Sequence, residues 1–184
     1  MKNDVLDAIY KRRSVRKYSE KEVSEEIVKE LINAGIMAPS ARNTQPWNFS
    51  IVQGKEKIKE FSDKALEQRK ILGKIIGGSF KVMGLGSLFY NAPLLIFISG
   101  KSDYSYLKDD VNLAVQNMFL AAYSLGLGSC WIGMAKDLNK NKSAKKELGI
   151  PADFEIVAPL IFGYPEGNEK ETPKREPKIL KWIK

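Results

Sequence analysis

The sequence predicts an α+β fold, and three features lead there. Helical and strand-like stretches are mixed without the strand–helix–strand rhythm of a doubly wound sheet, and two helical patterns come first. The most apolar runs, such as Ala92 to Ile98, have strand length and fall well short of the roughly 18 residues of a membrane span. The stretch from Asp110 to Leu125 is apolar nearly all round at helical spacing, which requires burial on most sides. Its 184 residues suit a single domain, 1–184, around one core.

Each element has its own signal. Residues 4–13 place Val5, Leu6, Ile9 and Tyr10 on one helical face behind an Asn3 or Asp4 cap. A second helix starts at Ser24, whose two following glutamates suit the positive end of the helix dipole; it buries Ile27, Val28, Leu31 and Ile32 and stops near Gly35. Residues 47–54 read as a strand and 56–70 as a helix. Residues 71–91 carry five glycines among apolar side chains and predict a broken helix or lid. A buried strand follows at 92–100, then the apolar helix, which Gly126 ends. "SCWIGM" and "EIVAPLIFGYP" are further core strands. Residues 167–184 are polar until "KILKWIK" and predict an arm lying on another surface.

Composition narrows the chemistry. There is no histidine, which removes histidine acid–base catalysis, the Ser-His and Cys-His nucleophiles, and most zinc and haem sites. Cys130 is the one cysteine, so neither an internal disulfide nor a multi-cysteine metal site can form; it reads as a buried, inert thiol. No metal site is expected. An enzyme of this composition works through carboxylates, lysines and tyrosines, or through a cofactor. The formal charge of +8, from 30 basic and 22 acidic residues, favours anionic ligands. The acid-bearing N-terminal helix resembles neither a signal nor a transit peptide, so a cytoplasmic protein is expected.

Two stretches point to a ligand. In "RRSVRK", Arg12, Arg13, Arg16 and Lys17 surround Ser14 where the first helix gives out. Arginine forks plus a hydroxyl make a phosphate clamp, although a solvated helix end has the same look. In "APSARNTQPWNF", Pro39, Ser40, Ala41, Asn43 and Gln45 could hydrogen-bond in plane to a heteroaromatic ring, or simply form a turn. Gly126 and Gly128 do not make a dinucleotide fingerprint, since the third glycine is missing and the helix precedes the strand. No Walker A sequence occurs.

"RRSVRKY", "APSARNTQPWNF", "DDVNLAVQNMFLAAYSLGLGSCWIG" and "LGIPADFEIVAPLIFGYPEG" stand in the order and at the separations of the nitroreductase family of FMN flavoproteins, which the chain resembles over most of its length. The resemblance implies a nitroreductase-like fold, a mostly antiparallel central sheet flanked by helices, in an intertwined homodimer with FMN at the subunit interface. It implies that Arg12, Ser14 and Arg16, with Arg13 alongside, hold the phosphate and ribityl chain, with Arg175 or its neighbour Lys174 reaching in from the tail. Pro39, Ser40, Ala41, Asn43 and Gln45 would reach flavin from the partner subunit, and Ile132 and Gly133 would lie beside its reactive edge. Arg16 would favour the anionic reduced flavin. No side chain is expected to be catalytic: hydride would pass from NAD(P)H through flavin N5 to nitroaromatics, quinones or similar acceptors in a ping-pong cycle. Dehalogenation, desaturation or flavin breakdown on the same scaffold, or a flavin sensor without turnover, are the alternatives. Nucleic acid is not an expected partner, because aromatics do not interleave with the basic residues, nor is a membrane, because no apolar run reaches the roughly 18 residues of a span.

Overall fold

The computed structural model describes residues 3–76, 87–167 and 172–184. Helix α1 spans Asp4–Lys11 and opens with the Asn3 side chain accepting from the amides of Val5 and Leu6 at 3.0 and 3.1 Å. The apolar face expected of it is not turned into the fold. Ala8 is its buried residue, while Val5 and Tyr10 are each 64% exposed. Periodicity predicts that such a face wants cover; it does not say which chain supplies it.

Helix α2 (Glu25–Ile36) starts on the Ser24 hydroxyl as predicted, and it runs one residue beyond Gly35. Gly35 is inside the helix, not its cap, and is buried against Met118. Strand β1 (Asn48–Gln53) and helix α3 (Lys55–Ile76) follow. The first residues of the predicted lid therefore continue α3, and 77–86 lie outside the described residues. Residues 88–91 form a turn that buries Leu88 and Phe89 and is tied to α3 by the Leu88 amide donating to Ser62 Oγ at 2.8 Å.

Strand β2 (Leu94–Lys101), helix α4 (Leu107–Ser124), strand β3 (Gly128–Trp131), a 3-10 segment at Gly133–Lys140, helix α5 (Lys142–Glu147) and strand β4 (Phe154–Gly163) complete the order. The four strands form one antiparallel sheet in the order β1-β2-β4-β3. Side chains alternate across it. Leu94, Ile96, Ile98, Leu160 and Phe162 pack with Leu31 of α2 and Val111 and Met118 of α4. Leu95, Phe97 and Ile161 pack with Ile58 and Phe61 of α3 and with Leu138. Helices thus cover both faces, which is why β2 is an unbroken apolar run and not an alternating one. Trp47 belongs to the α2–α4 side of this core.

The sequence pattern had not predicted a helical 3-10 segment in residues 133–140. Their few buried residues, Ala135 and Leu138, are too short a signal to set a period.

Candidate functional site

Residues 12–18 leave α1 and run parallel to the start of β3. The Val15 amide donates to the Ser129 carbonyl at 2.9 Å, and Ser14 pairs with Ser129. Gly128 permits this approach: a Cβ there would stand 2.6 Å from Val15 Cβ. The buried Tyr18 fixes the same segment from the other side, its hydroxyl donating to the Val15 carbonyl at 2.6 Å. The path of the basic segment is set by a glycine, a tyrosine and a strand edge.

This path gathers charge. Arg12 lies over the Phe119 ring of α4, 5.8 Å from its centroid. Burial, followed by the like charges of Arg13 and Arg175, pushes its guanidinium below the ordinary arginine range. Arg12 Nε is buried without a hydrogen-bond partner among the described residues. A buried orphan donor on a cation crowded by two more cations is what an anion would relieve. Arg16 stands 6.0 Å from the Tyr90 ring centroid, on the turn after residue 86. Cys130 faces the same cluster. Burial pushes its thiol up, opposed by Arg16, by a hydrogen bond from Ser14 and by Arg12, so it stays protonated at neutral pH.

The tail reaches the cluster along α1. Thr172 Oγ1 donates to the Tyr10 carbonyl at 2.8 Å, and Arg175 comes close enough to act on Arg12. Its neighbour Lys174 is paired with Glu176 at 3.1 Å.

The 39–45 loop forms a second cluster. Arg42, Asn43 and Gln45 all have positive φ, at 55°, 54° and 47°. For residues with a Cβ this costs on the order of 1–2 kcal/mol each, so other contacts must hold the shape. The Gln45 amide donates to Ser40 Oγ at 2.9 Å, and Gln45 Nε2 to Asn43 Oδ1 at 3.0 Å. The Ala41 amide donates to Asp110 of α4 at 3.0 Å. Gly100 lets the loop's end lie on the sheet, since a Cβ there would sit 2.6 Å from the Pro46 carbonyl oxygen. Pro39, Asn43 and Gln45 are exposed, and Ser40 and Ala41 half-buried.

Ile132 and Gly133 follow β3 directly. Ile132 is buried with its amide on the Pro159 carbonyl at 2.9 Å, and Gly133 is exposed, with open space where a side chain would begin. The structure therefore brings Arg12, Arg13, Ser14, Arg16 and Arg175 together, and Pro39 to Gln45 together. It does not bring one group onto the other. They attach to α4 nine residues apart, at Phe119 and Asp110, or about 13 Å along the axis. Sequence reasoning missed Phe119, Tyr18, Tyr90, Tyr104 and Asp110. Asp110 alone left a trace, as an acid at the head of an apolar helix.

A model of the nitroreductase family matches residues 9–164, a span that contains the basic segment, the loop and the whole sheet. The chain belongs to the nitroreductase family. The nitroreductase from Bacteroides fragilis solved with bound FMN is 26% identical, with a TM-score of 0.85 and 100% of each chain covered. An FMN-dependent nitroreductase from Clostridium difficile is also 26% identical, with a TM-score of 0.83 over 98% of this chain and 99% of its own. An Archaeoglobus fulgidus protein, provisionally named an NADH dehydrogenase/NAD(P)H nitroreductase, is 31% identical over 91% of this chain and 88% of its own. The nitroreductase fold inferred from the motifs is the fold of the chain. Among the described residues, no helix is long and apolar enough to cross a membrane, and no cluster of acids and cysteine could hold a metal ion.

Proposed function

We propose that this nitroreductase-family chain is an FMN-dependent oxidoreductase that passes hydride from NAD(P)H to nitroaromatic, quinone or similar electron-poor acceptors in a ping-pong cycle. The observation that carries it is Arg12: a half-buried guanidinium whose Nε is itself buried and unpartnered, pressed by Arg13 and Arg175, in a family whose relatives bind FMN. A phosphate monoester supplies the missing acceptor and offsets the crowded charge. Arg12, Arg13, Ser14, Arg16 and Arg175 hold that phosphate and the ribityl chain. Pro39, Ser40, Ala41, Asn43 and Gln45, from a second copy, meet the ring, and Ile132 and Gly133 lie along its edge. Bound FMN would supply the hydride-accepting and hydride-donating centre; the chain orients the ring and keeps it anchored. The absence of histidine is then no obstacle.

The second copy has its own support. Val5, Leu6, Ile9 and Tyr10 on α1 are exposed, and Leu180, Trp182 and Ile183 of the tail are 75% exposed or more. So many apolar side chains in contiguous stretches mark surface that a partner covers. A homodimer covers them, with the flavin between the basic cluster of one subunit and the loop of the other. Residues 1–184 then act as one FMN-binding domain, in the cytoplasm as the sequence suggested.

The phosphate clamp is tested by comparing FMN with riboflavin. Wild-type protein is expected to prefer FMN strongly, and Arg12→Ala to weaken FMN about 10- to 100-fold while changing riboflavin by less than about threefold. Equal affinity of the wild type for both flavins would remove the clamp. Steady-state NAD(P)H oxidation with a nitroaromatic acceptor separates the enzyme from a flavin sensor without turnover.

A further inference from the structure

Asp110 is a carboxylate with no part in the proposed cofactor contacts, yet it is only 3% exposed. It stands in the first turn of α4 among inward-facing apolar residues such as Val111 and Ala114. An acid at that position usually serves the helix itself through the dipole or by capping. Here the side-chain hydrogen bonds leave the helix. Oδ1 accepts from the Ala41 amide at 3.0 Å, and Oδ2 accepts from the Tyr104 hydroxyl at 3.0 Å. The tyrosine oxygen lies 2.7 Å from Thr44 Oγ1 and 3.3 Å from the Ala41 carbonyl oxygen, and Thr44 Oγ1 is 2.9 Å from that same carbonyl. With the tyrosine proton on the carboxylate, Thr44 can give its own proton to Tyr104 or to Ala41. Both ends of the left-handed run at Arg42 and Asn43 are thereby tied to one buried side chain.

We propose that Asp110, with Tyr104 as its relay, is a positioning residue that holds the 39–45 loop in the shape the flavin ring meets. The proposal rests on the flavin reading above, and it adds a residue pair that touches no cofactor atom. Loss of the carboxylate would strand the Ala41 amide and free the left-handed residues to relax. The ring side of the site would suffer and the phosphate side would not.

The test uses full-length Asp110→Ala, Asp110→Asn and Tyr104→Phe. Hydrogen exchange of the 39–46 peptide in flavin-free protein reads the latch directly. Affinities for FMN and for riboflavin read its consequence. Asp110→Ala is expected to speed loop exchange at least about tenfold and to weaken both flavins about equally, by roughly tenfold or more. The visible bands of any bound flavin should shift toward those of the free cofactor. Asp110→Asn keeps an oxygen for Ala41 and an amide for Tyr104, so it should return affinity to within about threefold of wild type. Tyr104→Phe removes only a hydroxyl and should fall between, which keeps the test decisive if Asp110→Ala does not fold. Unchanged loop exchange in the variants overturns the latch whatever flavin does. A loosened loop with unchanged flavin affinity overturns the positioning role. A selective loss of FMN over riboflavin also overturns it, by assigning the carboxylate to the phosphate cluster. If the wild type binds neither flavin, the flavin reading fails and takes this proposal with it, a result visible before any variant is made.

Discussion

Arg12 and Cys130 stand within one charge cluster and answer to burial in opposite ways. Burial and like charge push the arginine down, and burial pushes the thiol up in spite of the arginines nearby. The arginines and the serine of the proposed clamp were legible in the sequence, because residue type and spacing are all that such a proposal requires. The sequence could not show the orphan Nε, which depends on Phe119 of a helix about a hundred residues away. Nor could it show the positive φ of Arg42, Asn43 and Gln45, since such angles are ordinarily expected of glycine. The thiol carries a pH prediction. A folded-state value raised above the ordinary 9.0 means the native state keeps its proton longer than the unfolded chain. The associated stability is full below about pH 9.0, where neither state has ionised, and is lost as pH rises from there through the folded-state value. The buried Tyr18 phenol, also raised by burial, acts the same way from about one unit higher. Urea unfolding should therefore show stability falling above about pH 9, with a shallower fall in Cys130→Ala. A Cys130→Ala slope identical to wild type would remove the thiol from that account.

At the scale of elements, the strands and the helices at 24–36 and 107–124 were legible because each carries its own period, its cap or an apolar run of fitting length. Helix α1 was legible as a helix, but its cover was not, because the cover is not local. The end of α3 was read as part of a lid because glycines follow it closely in sequence. The contact between the basic segment and β3 was invisible, since a parallel pairing of two extended strips leaves no joint pattern in either. Gly128 is its physical requirement, with Val15 Cβ 2.6 Å from where an alanine methyl would stand. Gly128→Ala should cost about 1–3 kcal/mol in urea unfolding, as overpacking does, and should shift the 12–16 segment enough to weaken FMN. Wild-type stability together with wild-type FMN affinity would show that the segment is not held there.

The whole molecule leaves apolar surface uncovered on α1 and along the tail, and it keeps its two candidate half-sites on separate stretches of α4. The second copy proposed above would account for both. Light scattering should give about twice the 20.7 kDa chain mass, and deletion of residues 178–184 should shift the protein toward monomer with loss of flavin. A stable monomer that binds FMN as well as the full chain would separate flavin binding from dimerisation. The central claim, a nicotinamide-reducible flavoprotein, is tested most directly by the visible absorption of protein incubated with FMN, desalted, and treated anaerobically with NADPH and then NADH. Retained oxidised-flavin bands that bleach on one of these additions are the predicted result. Protein that emerges from desalting without flavin would contradict it and leave the Arg12 cluster as a site for some other anion.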